Sequence, residues 1–330
     1  MSKYNWKDRN CLVTGGAGFG GSHLCEQLLD RGARVYVLDR YMLNNSYLVL
    51  SGNSKRIQFI RGDIRDLDFI KLTFDKLEIE TVFHLAAQPI VPISNQHPFE
   101  TLSVNALGTY SILEAVRTSG AVKGLIFASS GAYYGTTTTP DKIKETAPPL
   151  PTSNIYATSK VAADVAVQTY ARVYNMSAAV CRFINTYGPG DTNFSRIIPW
   201  AVKNLITDPE GPYDFGSRSD GTGLFDCLYI ADMANAYIKM AENLDKISGE
   251  VFNFCGDQLH SARELTELVS ECFDGRKRDA IFSGQKAKKQ TIKRLDTTKA
   301  QQLLDWTPQT TLEQGLKSTL AWYRQYWDRL

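Results

Sequence analysis

Short apolar runs alternate with stretches of helical periodicity through the first half of the chain. Cys11-Leu12-Val13 leads into a helical pattern over His23–Leu29. Val35–Leu38, Ile57–Ile60, Thr81–Leu85, Gly124–Ala128 and Ser177–Arg182 follow, with helices expected near 66–76, 99–118 and around Tyr156. A strand buried on both faces reads as a continuous apolar run, so this alternation predicts a parallel sheet covered by helices on both sides, a doubly wound α/β fold. From about residue 186 regularity breaks at Tyr187-Gly-Pro-Gly190, Pro199, Pro209 and Gly211-Pro212, and helices are expected again near 262–273 and 311–328. The pattern divides the chain into a sheet domain, 1–185, and a smaller, mainly C-terminal lobe, 186–330, some elements of which return to the sheet. The lobe is expected to close over the strand ends and hold a substrate.

Ligands of doubly wound folds collect at the carboxyl ends of the strands. Asp39, Asp63, Ala86-Ala87-Gln88, Ser129-Ser130 and Asn185 each follow a strand directly, so they are expected along one edge of the sheet. The first turn is the richest. Thr14-Gly15-Gly16-Ala17-Gly18-Phe19-Gly20-Gly21 joins a strand to a helix; Gly15, Gly18 and Gly21 give Gly-x-x-Gly-x-x-Gly, and Gly16, Gly18 and Gly21 also fit Gly-x-Gly-x-x-Gly. Glycines there let the backbone approach an anion, and the helix start aims bare N–H groups at it, as in Rossmann-like dinucleotide cradles. Asp39 lies 18 residues beyond Gly21 at the end of the second strand, where a carboxylate can bind the ribose hydroxyls and repel a 2′-phosphate. NAD is favoured over NADP, with Arg40 partly offsetting the repulsion.

Tyr156 and Lys160 are four apart on an expected helix, so they share one face and the ammonium can favour the phenolate. A tyrosine ordinarily titrates near pH ~10, and a general base works best with a pKa near the working pH. Ser130, 26 positions upstream of the tyrosine at a strand end, could hydrogen-bond the reacting oxygen.

Composition narrows the alternatives. The 330 residues are 43% hydrophobic, enough for ordinary buried cores, and 37 basic against 35 acidic side chains give a net charge of only +2. No nucleic-acid or membrane partner is called for, and the basic cluster Lys286, Lys288 and Lys289 reads as a solvated loop. The N-terminus has no apolar signal core and no run reaches the ~18 residues of a membrane span. Six cysteines without a Cys-x-x-Cys pair read as reduced thiols of a cytoplasmic protein. Four histidines without metal spacing give no metal site, and His84, inside a strand, reads as a packed core residue.

Assembled, these residues resemble the extended short-chain dehydrogenase/reductase family, specifically its NAD-dependent nucleotide-sugar epimerases and dehydratases. The resemblance spans nearly the whole chain. It is carried by the glycine turn, Gly62-Asp63-Ile64, His84-Leu-Ala-Ala-Gln88, Asn105-Ala-Leu-Gly-Thr109, Ser129-Ser130 with Tyr134-Gly135, Tyr156 with Lys160, Arg182-x-x-Asn185-x-Tyr187-Gly-Pro-Gly190, and Leu295-Asp296 to Trp306-x-Pro308. The second half, at Gly190–Pro199 and Ser219–Thr222, looks most like bacterial CDP-glucose 4,6-dehydratases. The resemblance implies that Tyr156 removes the proton of a sugar hydroxyl, usually at C4, while the hydride on that carbon passes to NAD. Lys160 would lower the tyrosine pKa and bind the nicotinamide ribose. Asp63 would bind the adenine edge, and Phe19, Ile64, Ala86, Ala87, Gln88 and Asn105 would line the cofactor. Gln88, Ser130 and Asn185 would meet the nucleotide-diphosphate sugar. Pairing of two helices, about 99–118 and 154–174, would make a homodimer.

Two departures are informative. Dehydratases of this kind carry an acid and a base directly after the catalytic Ser/Thr, and decarboxylases usually a Glu in the same loop; here the residues are Gly131 and Ala132. An inert loop resembles 4-epimerases, which need no further acid or base. The family's arginine before the strand closing the substrate lobe is replaced by Phe225, leaving Arg294, and then Arg196 or Arg218, for the diphosphate. The sequence reading is an NAD-dependent 4-epimerase, with a 4,6-dehydratase, a 4-dehydrogenase/reductase and a non-catalytic NAD sensor as alternatives.

Overall fold

The computed structural model describes residues 4–135, 137, 139, 141–151, 154–256, 258–285 and 292–330, so the basic cluster at 286–289 lies outside the described residues. In chain order the strands are β1 (Asn10–Thr14), β2 (Arg34–Asp39), β3 (Gln58–Arg61), β4 (Thr81–His84), β5 (Gly124–Ser130), β6 (Ala178–Phe183), β7 (Thr186–Tyr187), β8 (Leu224–Asp226), β9 (Leu228–Tyr229), β10 (Val251–Phe254) and β11 (Leu259–Ser261). Seven form one sheet in the order β10-β6-β5-β4-β1-β2-β3, with every pairing parallel. The chain winds outward from β1 in one direction to β3 and in the other through β4 to β10. That reversal between β1 and β4 opens a crevice at the strand ends.

Both faces are covered, which explains the uninterrupted burial of β4 and β6. Helices Phe19–Asp30 and Ile230–Glu242 pack on one face through Leu24, Leu28, Ala234 and Ile238. On the other, helices Leu67–Leu77, Gly108–Thr118 and Ile155–Val173 contribute Phe74, Ile112, Ala163 and Val167. Segments from beyond residue 185, among them helix Ile230–Glu242, β10 and helix Thr298–Leu304, are thus part of the sheet layers.

The remaining lobe packs helices Ile197–Thr207, Ala262–Asp274 and Leu312–Tyr326 around Val202, Leu205, Val269, Leu316 and Leu320. Capping boxes at Ser261/Glu264 and Thr311/Gln314 start the last two, each such cap contributing about 1 kcal/mol. The long helix expected over 99–118 is interrupted: Pro98–Leu102 passes through a π turn, Ser103–Leu107, into Gly108–Thr118. Thr109 Oγ1 donates to the Asn105 carbonyl at 2.6 Å, supplying a partner where the regular ladder slips.

Candidate active site

The glycine turn separates two demands on its residues. Gly15 has φ +71°, and a Cβ there would stand 2.7 Å from the Ala86 backbone; one on Gly21 would stand 2.3 Å from the Gly15 carbonyl. Those two glycines are required by the protein's own packing. Gly18 is exposed, and its Cβ would meet only the Gly15 oxygen at 3.3 Å. It is the N-cap of Phe19–Asp30 with no side chain capping the first turn, so the bare N–H groups and open backbone form an anion cradle.

Asp39 closes one side of this cradle. Its carboxylate accepts the Arg40 N–H at 2.8 Å and the Ala17 N–H at 3.3 Å, while burial raises its pKa. The donor set fits a dinucleotide: bare amides for a pyrophosphate and a fixed carboxylate for a ribose diol. Asp63, beyond β3, is held by Arg65 through contacts of 2.6 and 3.0 Å, which lower its pKa. Ile64 is buried against Gly108, where a Cβ would approach it to 2.6 Å.

After β4, the Ala86 N–H donates to Thr14 Oγ1 at 3.2 Å. Ala87 and Gln88 continue that loop, but the Gln88 amide is spent on Ile90, accepting its N–H at 2.6 Å and donating to its carbonyl at 3.1 Å. Asn105 is buried and braces the same loop against the tyrosine helix. Its Oδ1 accepts the Gln88 N–H at 2.7 Å, and its Nδ2 donates to the Gln88 carbonyl at 3.0 Å and Ser159 Oγ at 2.9 Å. The amides of both residues are therefore hydrogen-bonded within the protein, Gln88 also donating to Thr101 Oγ1 at 3.2 Å.

His84 is fully buried. Thr14 Oγ1 lies 2.7 Å from Nδ1 and Thr109 Oγ1 3.0 Å from Nε2. Thr109 gives its own proton to Asn105, so Nε2 carries the histidine hydrogen and Nδ1 accepts from Thr14. Burial, reinforced by the Lys160 charge, pushes its pKa down to about 3, so the ring is neutral.

Ser130 ends β5, accepting the Ala132 N–H at 3.1 Å, and shares a side-chain hydrogen bond with Tyr156. Tyr156 enters the first turn of Ile155–Val173, a turn capped by Asn154 Oδ1 accepting from the Ala157 N–H at 2.9 Å. Burial raises the phenol pKa; the Ser130 hydrogen bond and then the Arg196 charge pull it down. Arg196 is thus a cation acting on the phenol that the spacing of Tyr156 and Lys160 did not point to. Lys160 is 4% exposed, and its ammonium donates to the Ala128 carbonyl at 2.7 Å, 5.0 Å from the Phe127 ring. Burial lowers its pKa to about 8, opposed by Asp164.

Asp164, one turn beyond Lys160, anchors a buried network that sequence reasoning missed; its four-residue spacing on the same helix face was the available signal. It receives two Arg182 nitrogens at 2.9 and 2.8 Å and Ser129 Oγ at 2.5 Å. Arg182 also donates to the Tyr134 hydroxyl at 2.8 Å and stacks 3.4 Å from the Tyr133 ring centre. The strand end bearing Ser130 and the helix bearing Tyr156 are thus clamped together.

A cavity of about 320 Å³ lies in the C-terminal lobe, lined by Asn185, Arg196, Trp200, Phe215, Phe225 and Phe282 among others. Asn185 takes the left-handed backbone at φ 43°, which asparagine tolerates. Arg196 is held by Asp191 at 2.6 Å and donates to the Thr186 carbonyl. Arg294 lies outside this lining, and its Nε is buried without a hydrogen-bond partner among the described residues. The side chain of Arg218 lies outside the described residues. None of the six cysteines forms a disulfide among the described residues. Among the described residues no cluster suits a metal ion, and no helix is long and apolar enough to cross a membrane.

The model of the NAD dependent epimerase/dehydratase family matches residues 11–255. The chain is 30% identical to a UDP-glucuronate 4-epimerase of Thermodesulfobacterium geofontis, covering 95% of this chain and 96% of that protein. It is also 30% identical to the mouse dTDP-D-glucose 4,6-dehydratase, over 96% of this chain and 89% of the other. Among solved structures, the UDP-glucose 4-epimerase of Thermotoga maritima with UDP-glucose superposes with a TM-score of 0.85 at 29% identity, covering 96% and 99% of the two chains.

Proposed function

The chain belongs to the NAD-dependent epimerase/dehydratase family, and we propose that within it the protein is a nucleotide-sugar 4-epimerase acting through a transient 4-keto sugar. The observation that carries this reading is the loop after Ser130. A Cβ on Gly131 would stand 2.2 Å from Ile184 Cγ2 and 3.5 Å from both Leu295 Cδ1 and the Phe183 carbonyl. The position where a dehydratase keeps an acid is not merely lacking a carboxyl; packed protein occupies the space a side chain needs. Ala132 offers no proton either. Loss of water across C5 and C6 requires a donor at the leaving hydroxyl and an acceptor for the C5 proton, whereas inversion at C4 requires neither.

Gly15, Gly18, Phe19 and Gly21 hold the pyrophosphate of NAD, Asp39 its adenosine ribose, Asp63 and Ile64 its adenine side, and Ala86, Ala87 and Lys160 its nicotinamide half. Bound NAD supplies the hydride acceptor and donor for sugar C4. Tyr156, as phenolate, takes the C4 hydroxyl proton and returns it after the sugar turns over. Ser130 holds the reacting oxygen beside the phenol, and the Arg196 charge favours the phenolate. The nucleotide part occupies the aromatic cavity, with Asn185, Arg196 and Arg294 toward the phosphates, anchoring the molecule while its sugar rotates. A homodimer through the two helical segments is supported by Phe99, Leu107, Tyr110, Val165, Val173 and Tyr174, all exposed there.

Incubation with UDP-, CDP-, GDP- and dTDP-sugars, followed by NMR, tests the proposal. A C4-inverted product is expected. A 6-deoxy-4-keto sugar overturns it in favour of a dehydratase, and net NADH in favour of a dehydrogenase.

A further inference from the structure

The helix that starts at the anion cradle, Phe19–Asp30, carries a buried histidine one turn in. Burial pushes the His23 pKa down to about 4, so the ring is neutral. Its Nε2 lies 2.8 Å from the Pro189 carbonyl, in the turn that leads to the substrate lobe. A carbonyl only accepts, so Nε2 carries the hydrogen and donates it. The ring is fixed in that pose: Tyr47 stacks on it with ring centres 3.8 Å apart, and the Tyr47 hydroxyl donates to Glu26 of the same helix at 3.0 Å. Packing asks only for bulk at this place. The histidine adds a donor.

The residues after Pro189 carry this hold to the cavity. Gly190, at φ +86°, lies against Tyr47, where a Cβ would stand 2.5 Å from the tyrosine Cβ. Asp191 is buried, and its carboxylate accepts from Arg196 at 2.6 Å and from the Asn193 N–H at 3.2 Å. From the other side Tyr323, on helix Leu312–Tyr326, donates its hydroxyl to the Asp191 carbonyl. The turn is thus gripped between the cradle helix and the lobe, and Arg196, which lines the cavity, is fastened to it. The second hold on Arg196, the Thr186 carbonyl, lies just before the same turn.

We propose that His23 is a positioning residue for the substrate: by holding the Pro189 carbonyl it sets where Asp191 places the Arg196 guanidinium. The cofactor helix then fixes the cation of the nucleotide cavity without touching the nucleotide. Loss of the donor leaves a buried carbonyl unpaired; the turn relieves this by moving toward water, and Arg196 moves with it. This role presupposes a nucleotide in the cavity, as proposed above, and holds whichever way the sugar is processed.

The test is calorimetric titration of NAD-loaded full-length protein with UDP, CDP, GDP and dTDP, for wild type, His23→Phe, His23→Gln, Arg196→Gln and His23→Phe/Arg196→Gln. Phenylalanine keeps a ring to stack on Tyr47 and removes the donor, whereas glutamine returns an N–H at the reach of Nε2. His23→Phe is expected to weaken the tightest of the four about tenfold, and His23→Gln to stay within about threefold of wild type. In the Arg196→Gln background, His23→Phe should add less than about threefold, because the two act through one contact. NADH affinity of the stripped protein should be the same for wild type and His23→Phe. Should His23→Phe fail to fold, His23→Leu is measured in its place with the same expectations. Nucleotide affinity untouched by loss of the donor, or a full tenfold loss that persists without Arg196, overturns the positioning role. So does a glutamine variant as weak as phenylalanine, or NADH weakened as much as the nucleoside diphosphate, which would assign His23 to the cradle. Wild type that binds none of the four nucleoside diphosphates overturns the nucleotide reading itself, and the role of His23 with it.

Discussion

Replacing Lys160 by methionine should stabilise the protein at neutral pH. The ammonium titrates at about 8 instead of its ordinary 10.5, with burial the largest cause and Asp164 opposing it. At about 1.36 kcal/mol per pH unit, holding that charge in the folded state costs about 3 kcal/mol. Lys160 is 4% exposed, so solvent screening reduces this little. Methionine fills a similar volume without charge but leaves the Ala128 carbonyl without its 2.7 Å donor, a loss of about 1 to 2 kcal/mol. A net gain of about 1 to 2 kcal/mol at pH 7 follows. The lysine is protonated in both states below pH 8. Between about 8 and 10.5 the folded state has released the proton and the unfolded state still binds it, so wild-type stability rises with pH. The variant's advantage should therefore be constant from pH 6 to 7.5 and disappear by about pH 10. Urea unfolding of nucleotide-free wild type and variant across this range measures it. A variant less stable than wild type at pH 7, or an advantage that does not shrink as the pH rises, would mean that the buried ammonium carries no such cost.

Tyr156→Phe should lower turnover by about 10² to 10⁴ while NAD binding, followed by tryptophan quenching, stays intact; near-normal turnover removes Tyr156 from the chemistry. Asp164→Ala leaves the buried Arg182 guanidinium without its counter-charge and should cost about 3 to 5 kcal/mol in urea unfolding. A loss under 1 kcal/mol would mean that water or Tyr134 replaces the carboxylate. Gly131→Asp should destabilise by about 1 to 3 kcal/mol, because its Cβ enters the space of Ile184, and should yield no 6-deoxy product by NMR.

Parallel strands covered on both faces write their burial as unbroken apolar runs, which is why β1 to β6 were legible and why Asp39, Ser130 and Asn185 could be assigned to strand ends. Helix Ile197–Thr207 was hidden by Pro199, which reads as a break in a sequence. In the first turn a proline loses no intrahelical bond, so the helix tolerates it there. The π turn at Asn105 was also illegible, because it depends on amide contacts with Gln88 and Ser159, which are distant in sequence. The same holds for the cavity, whose Trp200, Phe215 and Phe282 meet only after the lobe packs. Lys160 was read through its spacing from Tyr156. Spacing sets the helix face but not the acceptor at its far end, the Ala128 carbonyl, which takes one of the ammonium's three hydrogens.

In the proposed epimerisation the sugar is oxidised and reduced at the same carbon, with nothing eliminated between. A nucleotide sugar accepted by the enzyme, carrying deuterium at C4, tests this most directly by NMR of the product. Epimerisation requires the deuterium to remain at C4, now on the opposite face, with C6 unchanged. Deuterium appearing at C6 of a 6-deoxy-4-keto sugar would instead make the enzyme a dehydratase.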